Sequence, residues 1–309
     1  MPASSAPAPA PSAQAHPALT DLHALIDELW PESLAEPWDA VGLTTGDPVR
    51  PVRRVLLAVD PVDAVVEEAA ARGADLLLTH HPLLLRGVTS IAADTLKGGQ
   101  LTRLLTSGVA HIAAHTNADA QRGGVSDVLI EALGVHGARP LAPASGAAEG
   151  IGIGRWADMP EPATVRELAR RLAAVLPATA TGVRIAGDGD AEVHRVAVCG
   201  GAGDSLFDEV RAVGADVYIT SDLRHHPATE ARDTAHRRPA DTPHLIDISH
   251  WAAESLWLDR AAEQLSRAAA VRGWELEIEV SRLRTDVWDE RIGQEAAQGR
   301  DDERAGRHG

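Results

Sequence analysis

A seven-residue stretch occurs twice in this chain, and the duplication limits what the chain can fold into. Gly73-Ala74-Asp75-Leu76-Leu77-Leu78-Thr79 returns as Gly214-Ala215-Asp216-Val217-Tyr218-Ile219-Thr220. The apolar runs are too short for a helix and read as fully buried strands. Each copy follows another strand and an acid-containing helix. Arg54 to Asp60 and then Pro61 to Arg72 precede the first copy; Arg195 to Cys199 and then Asp204 to Val213 precede the second. A strand, a helix and a strand in succession imply parallel neighbours joined by right-handed crossovers. The expectation is an α/β protein of two related halves with mostly parallel sheets, a single duplication and no solenoid array.

Open α/β sheets bind ligands at the carboxyl ends of their strands. The first copy runs there into His80-His81-Pro82, and Pro82, which lacks a backbone donor, stops regular pairing. By itself a His-His pair reads equally well as a polar surface turn. Two further strand ends change the balance. Val109 to Ala114 ends in His115-Thr116-Asn117-Ala118-Asp119. Leu245 to Ile248 ends in Ser249, which can cap a helix that begins near His250 and runs past Arg267. His250 and Glu254, four apart, share one face of that helix.

Taken singly, Asp119 could cap a turn and Glu254 could sit in solvent. Together, His80, His81, Asp119, His250 and Glu254 can converge on the carboxyl edge. Three imidazoles and two carboxylates suit Zn, Mn, Fe, Co or Ni and do not suit Ca or Mg. A bridging carboxylate allows two ions about 3.5–4 Å apart. Two divalent transition-metal ions are therefore the expected cofactors.

Charge narrows the partners. The 309 residues carry 29 basic and 45 acidic side chains, a net −16. That opposes nonspecific binding to nucleic acid or an anionic membrane, both of which need a basic face. Cys199 is the sole cysteine, so no intramolecular disulfide forms, and a reducing cytoplasm fits. No apolar run approaches the roughly 20 residues that span a bilayer. Met1 to His16, rich in Ala, Pro and Ser, lacks the basic start and apolar core of a secretory signal. Residues 1–17 read as a disordered tail, 18–286 as the α/β domain, and 287–309 as a loose charged tail. Residues 139–150, rich in Pro, Ala and Gly, read as the connection between halves.

Other segments set local expectations. Leu19 to Leu29 has helical spacing with Thr20 or Asp21 as cap. Trp38, in a structured loop, reads as a core plug. Thr95 to Ser107, Val125 to Leu133 and Thr164 to Leu176 read as helices, and Trp274 to Val280 as a last strand. Gly200-Gly201-Ala202-Gly203 sits where backbone donors could hold a phosphate, but it lacks the Lys-Ser/Thr of a P-loop and reads better as a tight turn. Gly150 to Gly154 suits a strand that passes close to other backbone. Cys199 reads as an inert buried thiol. No Ser-His-Asp arrangement is legible.

The ordered motifs resemble the dinuclear-metal-centre family of GTP cyclohydrolase 1 type 2 homologues. They are Trp38-Asp39-Ala40-Val41-Gly42-Leu43, the Gly-Ala-Asp strand with His80-His81-Pro82, Ala114-His115-Thr116-Asn117-Ala118-Asp119, Gly123-Gly124-Val125-Ser126-Asp127, the second Gly-Ala-Asp strand, and Ile248-Ser249-His250-Trp251-Ala252-Ala253-Glu254. The resemblance spans roughly Thr20 to Arg284. It implies that His80, His81, Asp119, His250 and Glu254 ligate two metals, with Glu254 as the bridge. It further implies that His115 and His226 lie just outside the ligands or face substrate, and that the chain forms a toroidal homo-hexamer. The family often has Asn where this chain has Ala40. Some relatives insert a domain between the halves, and the connection here is too short for one.

The reading that follows is a cytoplasmic metal-dependent hydrolase of a nucleotide or similar small molecule, with His115 or His226 transferring protons. Such a metal pair would supply a hydroxide nucleophile and polarise the bond attacked. The rival is a non-catalytic metal-handling or regulatory binding protein, which needs the same ligands.

Overall fold

The computed structural model describes residues 16–238 and 240–293. The first half of the chain forms α1 (Leu19–Leu29), β1 (Gly42–Thr45), β2 (Arg54–Ala58), α2 (Asp63–Ala71), β3 (Leu76–Thr79), α3 (Leu96–Ser107), β4 (Ala110–Ala113) and α4 (Thr116–Ala120). Then follow α5 (Val125–Glu131), β5 (Arg139–Pro143), β6 (Gly152–Thr164), α6 (Val165–Val175), β7 (Arg184–Ala186) and β8 (Glu192–Ala202). The chain continues through α7 (Phe207–Val213), β9 (Val217–Ser221), α8 (His225–Ala235), β10 (His244–Ile248), α9 (His250–Val271) and β11 (Glu277–Val280). Among the described residues no helix is long and apolar enough to cross a membrane.

Two sheets result, with strand orders β1-β4-β3-β2-β11 and β5-β6-β8-β9-β10-β7. Each has a parallel core: β4, β3, β2 and β11 in the first, β8, β9 and β10 in the second. Antiparallel strands flank these cores, β1 on the first sheet and β5, β6 and β7 on the second. The α/β class is as the duplicated strand predicts.

The duplication has a physical purpose in the aspartate of Gly-Ala-Asp. Asp75 Oδ2 accepts from the N–H groups of Arg53 (2.8 Å) and Arg54 (3.1 Å), at the start of the neighbouring strand β2. Asp216 Oδ2 does the same for His194 and Arg195, both at 2.8 Å, in β8. The arginines repeat too: Arg54 donates to the carbonyl of Arg72, and Arg195 to that of Val213 (2.6 Å). Each half thus fixes the register of its first parallel pair in the same way.

One helix joins the halves. Trp257, Leu258, Ala261 and Leu265 of α9 pack with α1 and the first sheet, while Ala253 packs with the second. At 22 residues, α9 is about 33 Å long. Its buried Trp257 lies edge-on to Trp30, ring centroids 5.2 Å apart. The outer faces of the two sheets are covered by α2 and α3, and by α7 and α8, respectively.

Several local expectations need correction. The segment 139–150 is not simply a connection: Arg139–Pro143 is edge strand β5, where Pro140 and Pro143 are tolerated because one side of the strand is unpaired. The long β6 that follows passes so close at Gly152 that a Cβ there would strike the Ala142 carbonyl. The cap of α1 is Ala18, not Thr20 or Asp21, and α2 starts two residues after Pro61. By contrast, Thr95 and Ser249 cap α3 and α9, and Thr164 forms a capping box with Glu167. Residues 1–15 and 294–309 of the expected tails lie outside the described residues. His16 and Pro17, grouped above with the tail, are tied down: His16 Nδ1 donates to the Glu275 carbonyl (2.8 Å) and the Pro17 carbonyl accepts from Val52 (2.9 Å).

Asp75→Ala and Asp216→Ala should each lower the unfolding free energy by about 1–3 kcal/mol, because each leaves two backbone donors without their acceptor. The effects should add, since the sites lie in different sheets. Urea denaturation of both variants and the double variant checks this; unchanged midpoints would make the repeated aspartate incidental.

Candidate metal centre

The centre is built where three parallel strands end. Beyond β3 the backbone is still held, by His80 N–H to Ala58 O (3.0 Å) and His81 N–H to Val59 O (2.9 Å). The Thr79 hydroxyl donates to the His81 carbonyl (2.6 Å) and accepts from buried His111 Nε2 (2.8 Å). Burial, reinforced by Lys97, pushes His111 down to about 3, so this ring stays neutral. The chain bends under these bonds, and two adjacent histidines reach the same site. After β4, His115 opens the short α4, held by its N–H to Asn117 Oδ1 (2.9 Å). Asn117 is itself anchored by a 2.6 Å bond to the Trp30 carbonyl. At the end of β10, α9 begins and presents His250 and Glu254 one turn apart.

Four histidine rings are oriented by the same device. His80 Nδ1 lies 2.9 Å from the Ala114 carbonyl, His81 Nδ1 2.7 Å from Asp60, His250 Nδ1 2.8 Å from Asp222, and His115 Nδ1 2.8 Å from Asp39. A carbonyl or carboxylate can only accept, so every Nδ1 carries its hydrogen. In the neutral rings Nε2 is left as a bare lone pair. Such outer acceptors are the usual way a ligating histidine is aimed and made more basic.

The bare nitrogens face one buried carboxylate. Glu254 Oε1 is 2.8 Å from His250 Nε2 and 3.5 Å from His80 Nε2, and Oε2 is 3.1 Å from His81 Nε2. His81 and His250 Nε2 are 3.3 Å apart, and Asp119 Oδ1 lies 3.8 Å from His80 Nε2. His80 Nε2, Asp119 Oδ1 and Glu254 Oε2 are buried without a hydrogen-bond partner. Orphaned acceptors packed against one another are costly unless a cation lies among them. Among the described residues two groups bring their ligand atoms within 4.8 Å of one another, close enough to hold an ion: His80, His81 and His115, and His81, His250 and Glu254.

The electrostatics run the same way. Burial opposes charge on these rings, but Glu254 and the outer aspartates outweigh it, lifting His81 to about 10 and His250 to about 11. Glu254, despite burial, is held well below the usual carboxylate range by His81, His250 and His80. Burial raises Asp119, against the pull of His80 and His115. The cluster therefore demands positive charge, from protons or from metal ions.

All five residues predicted as ligands lie together. His115 adjoins them, its ring 5.2 Å from that of His80 and 5.3 Å from that of His81. His226 does not: it is exposed at the start of α8. The four residues between Thr220 and His225 carry that histidine pair away from the sheet edge. Directly after Thr220 stand Ser221 and Asp222, and Asp222 is the residue that holds His250. Trp38, expected in the core, is 59% exposed, its ring edge-on to His115 at 5.9 Å. Its neighbour Asp39 is the buried one. Burial raises the Asp39 carboxyl, but bonds from His115 and Thr116 outweigh that and hold it far below the usual range. Asp39, Asp60 and Asp222 escaped the sequence reading because single aspartates in loops have no spacing signal. Cys199 is buried and its thiol is pushed up to about 12, an inert group as expected.

The Gly200–Gly203 turn closes the centre from the second half. Gly201 has φ +75, and a Cβ there would lie 3.0 Å from Glu254 Oε1 and 3.4 Å from His250 Nε2. The Thr220 and Tyr218 hydroxyls donate to the carbonyls of Gly201 (2.9 Å) and Gly203 (2.8 Å), pinning the turn. Gly201→Ala should lower zinc affinity about 10-fold or more, in the range seen when groups around ligands are altered, while far-UV circular dichroism stays unchanged. Competition against a chromophoric chelator measures it; equal affinities would show that the turn does not shape the centre.

A family profile described as Duf34/NIF3 (NGG1p interacting factor 3) matches residues 17–287. A Streptomyces coelicolor protein named GTP cyclohydrolase 1 type 2 homolog is 50% identical over 273 residues, covering 88% of this chain and 94% of that one. A Mycobacterium tuberculosis protein of the same name is 35% identical over 376 aligned residues, covering 88% and 96%. That alignment exceeds the 309 residues here, so the relative carries additional residues within the matched span. A Staphylococcus aureus hypothetical protein of solved structure superposes with a TM-score of 0.79 at 26% identity, over 89% of this chain and 99% of that one. A Bacillus cereus protein related to NIF3 shares the fold, with a TM-score of 0.78 at 23% identity over 88% and 99%. By profile, identity and fold, the chain belongs to the Duf34/NIF3 family, the GTP cyclohydrolase 1 type 2 homologues.

Proposed function

We propose that the protein is a cytoplasmic, dinuclear metal-dependent hydrolase of a nucleotide or similar small molecule. The observation that carries this reading is the convergence of Nε2 and carboxylate atoms from His80, His81, Asp119, His250 and Glu254 beside an open cleft, with those of His80, Asp119 and Glu254 buried and unpartnered. When bound there, two divalent transition-metal ions supply water activation at neutral pH and charge for the oxygen of the bond attacked. His80, Asp119 and Glu254 would hold one ion, and His81, His250 and Glu254 the other. Glu254, reached by three rings, would be the ligand shared between them.

The chain's own residues supply the rest. His115 lines the cleft with its Nδ1–H fixed by Asp39, so Nε2 is the atom that can take a proton from water and return it to a leaving group. Asp39 holds the tautomer and favours the charged ring, the orienting role a carboxylate plays behind a catalytic histidine. The names of the relatives point to hydrolytic opening of a ring. Catalysis, as distinct from metal handling, is supported by this Asp39–His115 pair, which a storage site does not need.

His115→Gln should keep most of the bound metal, since Glu254 and four other ligands remain, yet lose hydrolysis by about 100-fold or more. Elemental analysis beside a screen of cyclic-amide, ester and nucleotide substrates measures both quantities. Full hydrolysis by the variant would remove His115 from the chemistry, and no hydrolysis by the wild type across the screen would favour the metal-handling reading.

A further inference from the structure

The cleft over the centre encloses about 710 Å3. The first half contributes Leu34, Trp38 and Leu85; the second contributes Ile153, Leu206 and the small residues of the glycine turn. Among the described residues its charged lining is Glu36, Asp119, Glu254, His81, His115 and His250, with no Lys or Arg. Resting on the hydrolase reading above, we propose that this site takes a planar nitrogen heterocycle, stacked on Trp38 with its ring amide toward the centre, and does not take a polyphosphate.

Two independent features carry this. First, Trp38 leaves 59% of its surface in solvent at the cleft, while His115 fixes one side of it edge-on. An exposed indole beside a reactive centre is a stacking platform that accepts any flat ring. His115 in turn packs against His80 and His81 at 5.2 and 5.3 Å, so a ring resting on Trp38 is placed next to the ligands.

Second, the cleft lacks what a triphosphate requires. Polyphosphates are held by Arg or Lys and by free backbone donors. A separate pocket beyond Pro143 and Ala144 is lined by Arg122, Arg139, Arg155 and Arg260. There each is committed: Arg155 to Asp127, Arg260 to Glu131, Arg122 to the Glu149 carbonyl, and Arg139 over the Trp156 ring. Of the glycine turn's backbone donors, the Gly200 N–H is already given to Ser126 (3.1 Å). A chain of phosphates leaving the centre would meet Glu36 and, among the described residues, no basic side chain.

The test uses full-length zinc-loaded protein and measures binding, so it does not depend on turnover. The probes are hypoxanthine, uracil and pterin as flat lactams, δ-valerolactam as a saturated lactam, and inosine triphosphate. Calorimetry and saturation-transfer NMR should find at least one flat lactam bound and δ-valerolactam unbound at the same concentration. Trp38→Ala should weaken the flat lactam about 10-fold, the scale of one lost base–aromatic stack, and Trp38→Phe should keep it within about threefold. Inosine triphosphate should bind no more tightly than hypoxanthine. The proposal is overturned if no flat lactam binds, if Trp38→Ala leaves affinity unchanged, or if the triphosphate binds at least tenfold more tightly than its base. The hydrolase reading fails separately: Trp38-dependent binding without turnover of any probe removes hydrolysis and keeps this proposal. Turnover with a KM unaltered in Trp38→Ala does the reverse.

Discussion

Everything in this protein that concerns function depends on how four histidine rings are held from behind. Asp60, Asp222, Asp39 and the Ala114 carbonyl each take an Nδ1 hydrogen. With those hydrogens fixed, the opposite nitrogens face Glu254, Asp119 and one another, and each needs a proton or a metal ion there. Electron pairs do not pack against electron pairs in a buried site without a cation. The outer acceptors thus decide the chemistry of the inner atoms. A protein that needed only a buried polar network would have alternated donors with acceptors.

The fold supplies the convergence. Parallel strands release their carboxyl ends on one side, and the bends after β3 and β4 bring His80, His81 and His115 there. The second half contributes differently, through Asp222, the glycine turn and the start of α9. That helix packs on both sheets, so any shift between the halves would move His250 and Glu254 against His80 and His81. Trp257 couples the two directly, since its ring lies 5.4 Å from that of His80 and 5.2 Å from Trp30. The same arrangement leaves a cleft whose apolar and acidic walls differ from those of a phosphate site.

Much of this was legible in the residues. The duplicated Gly-Ala-Asp strand marked the two halves because short apolar runs after helices have few alternatives. The five inner residues stood out because each follows a strand or shares a helix face. The outer aspartates carried no such pattern: Asp60 and Asp222 belong to loops, and only the fold brings them behind His81 and His250. β5 and β6 were hidden by their prolines and glycines, since the second sheet uses edge positions and close backbone passes that lack hydrophobic alternation. His225-His226-Pro227 repeats His80-His81-Pro82 in the second half, yet it does not reach the site. Four intervening residues suffice to move that pair onto α8, and the position equivalent to His81 is filled by Asp222. Trp38 departs from its expected place in the core: an aromatic is usually the buried residue, but here it is the side chain of its neighbour Asp39 that is buried, bonded to His115 and Thr116.

The central claim is that the cluster holds two ions joined by Glu254. Its most direct test is to reconstitute the purified chain with Mn(II) at neutral pH and combine elemental analysis with electron paramagnetic resonance. The account predicts two ions per chain with the signal of an exchange-coupled pair, lost on Glu254→Gln. One ion or none per chain, or two ions that remain magnetically independent, would contradict it.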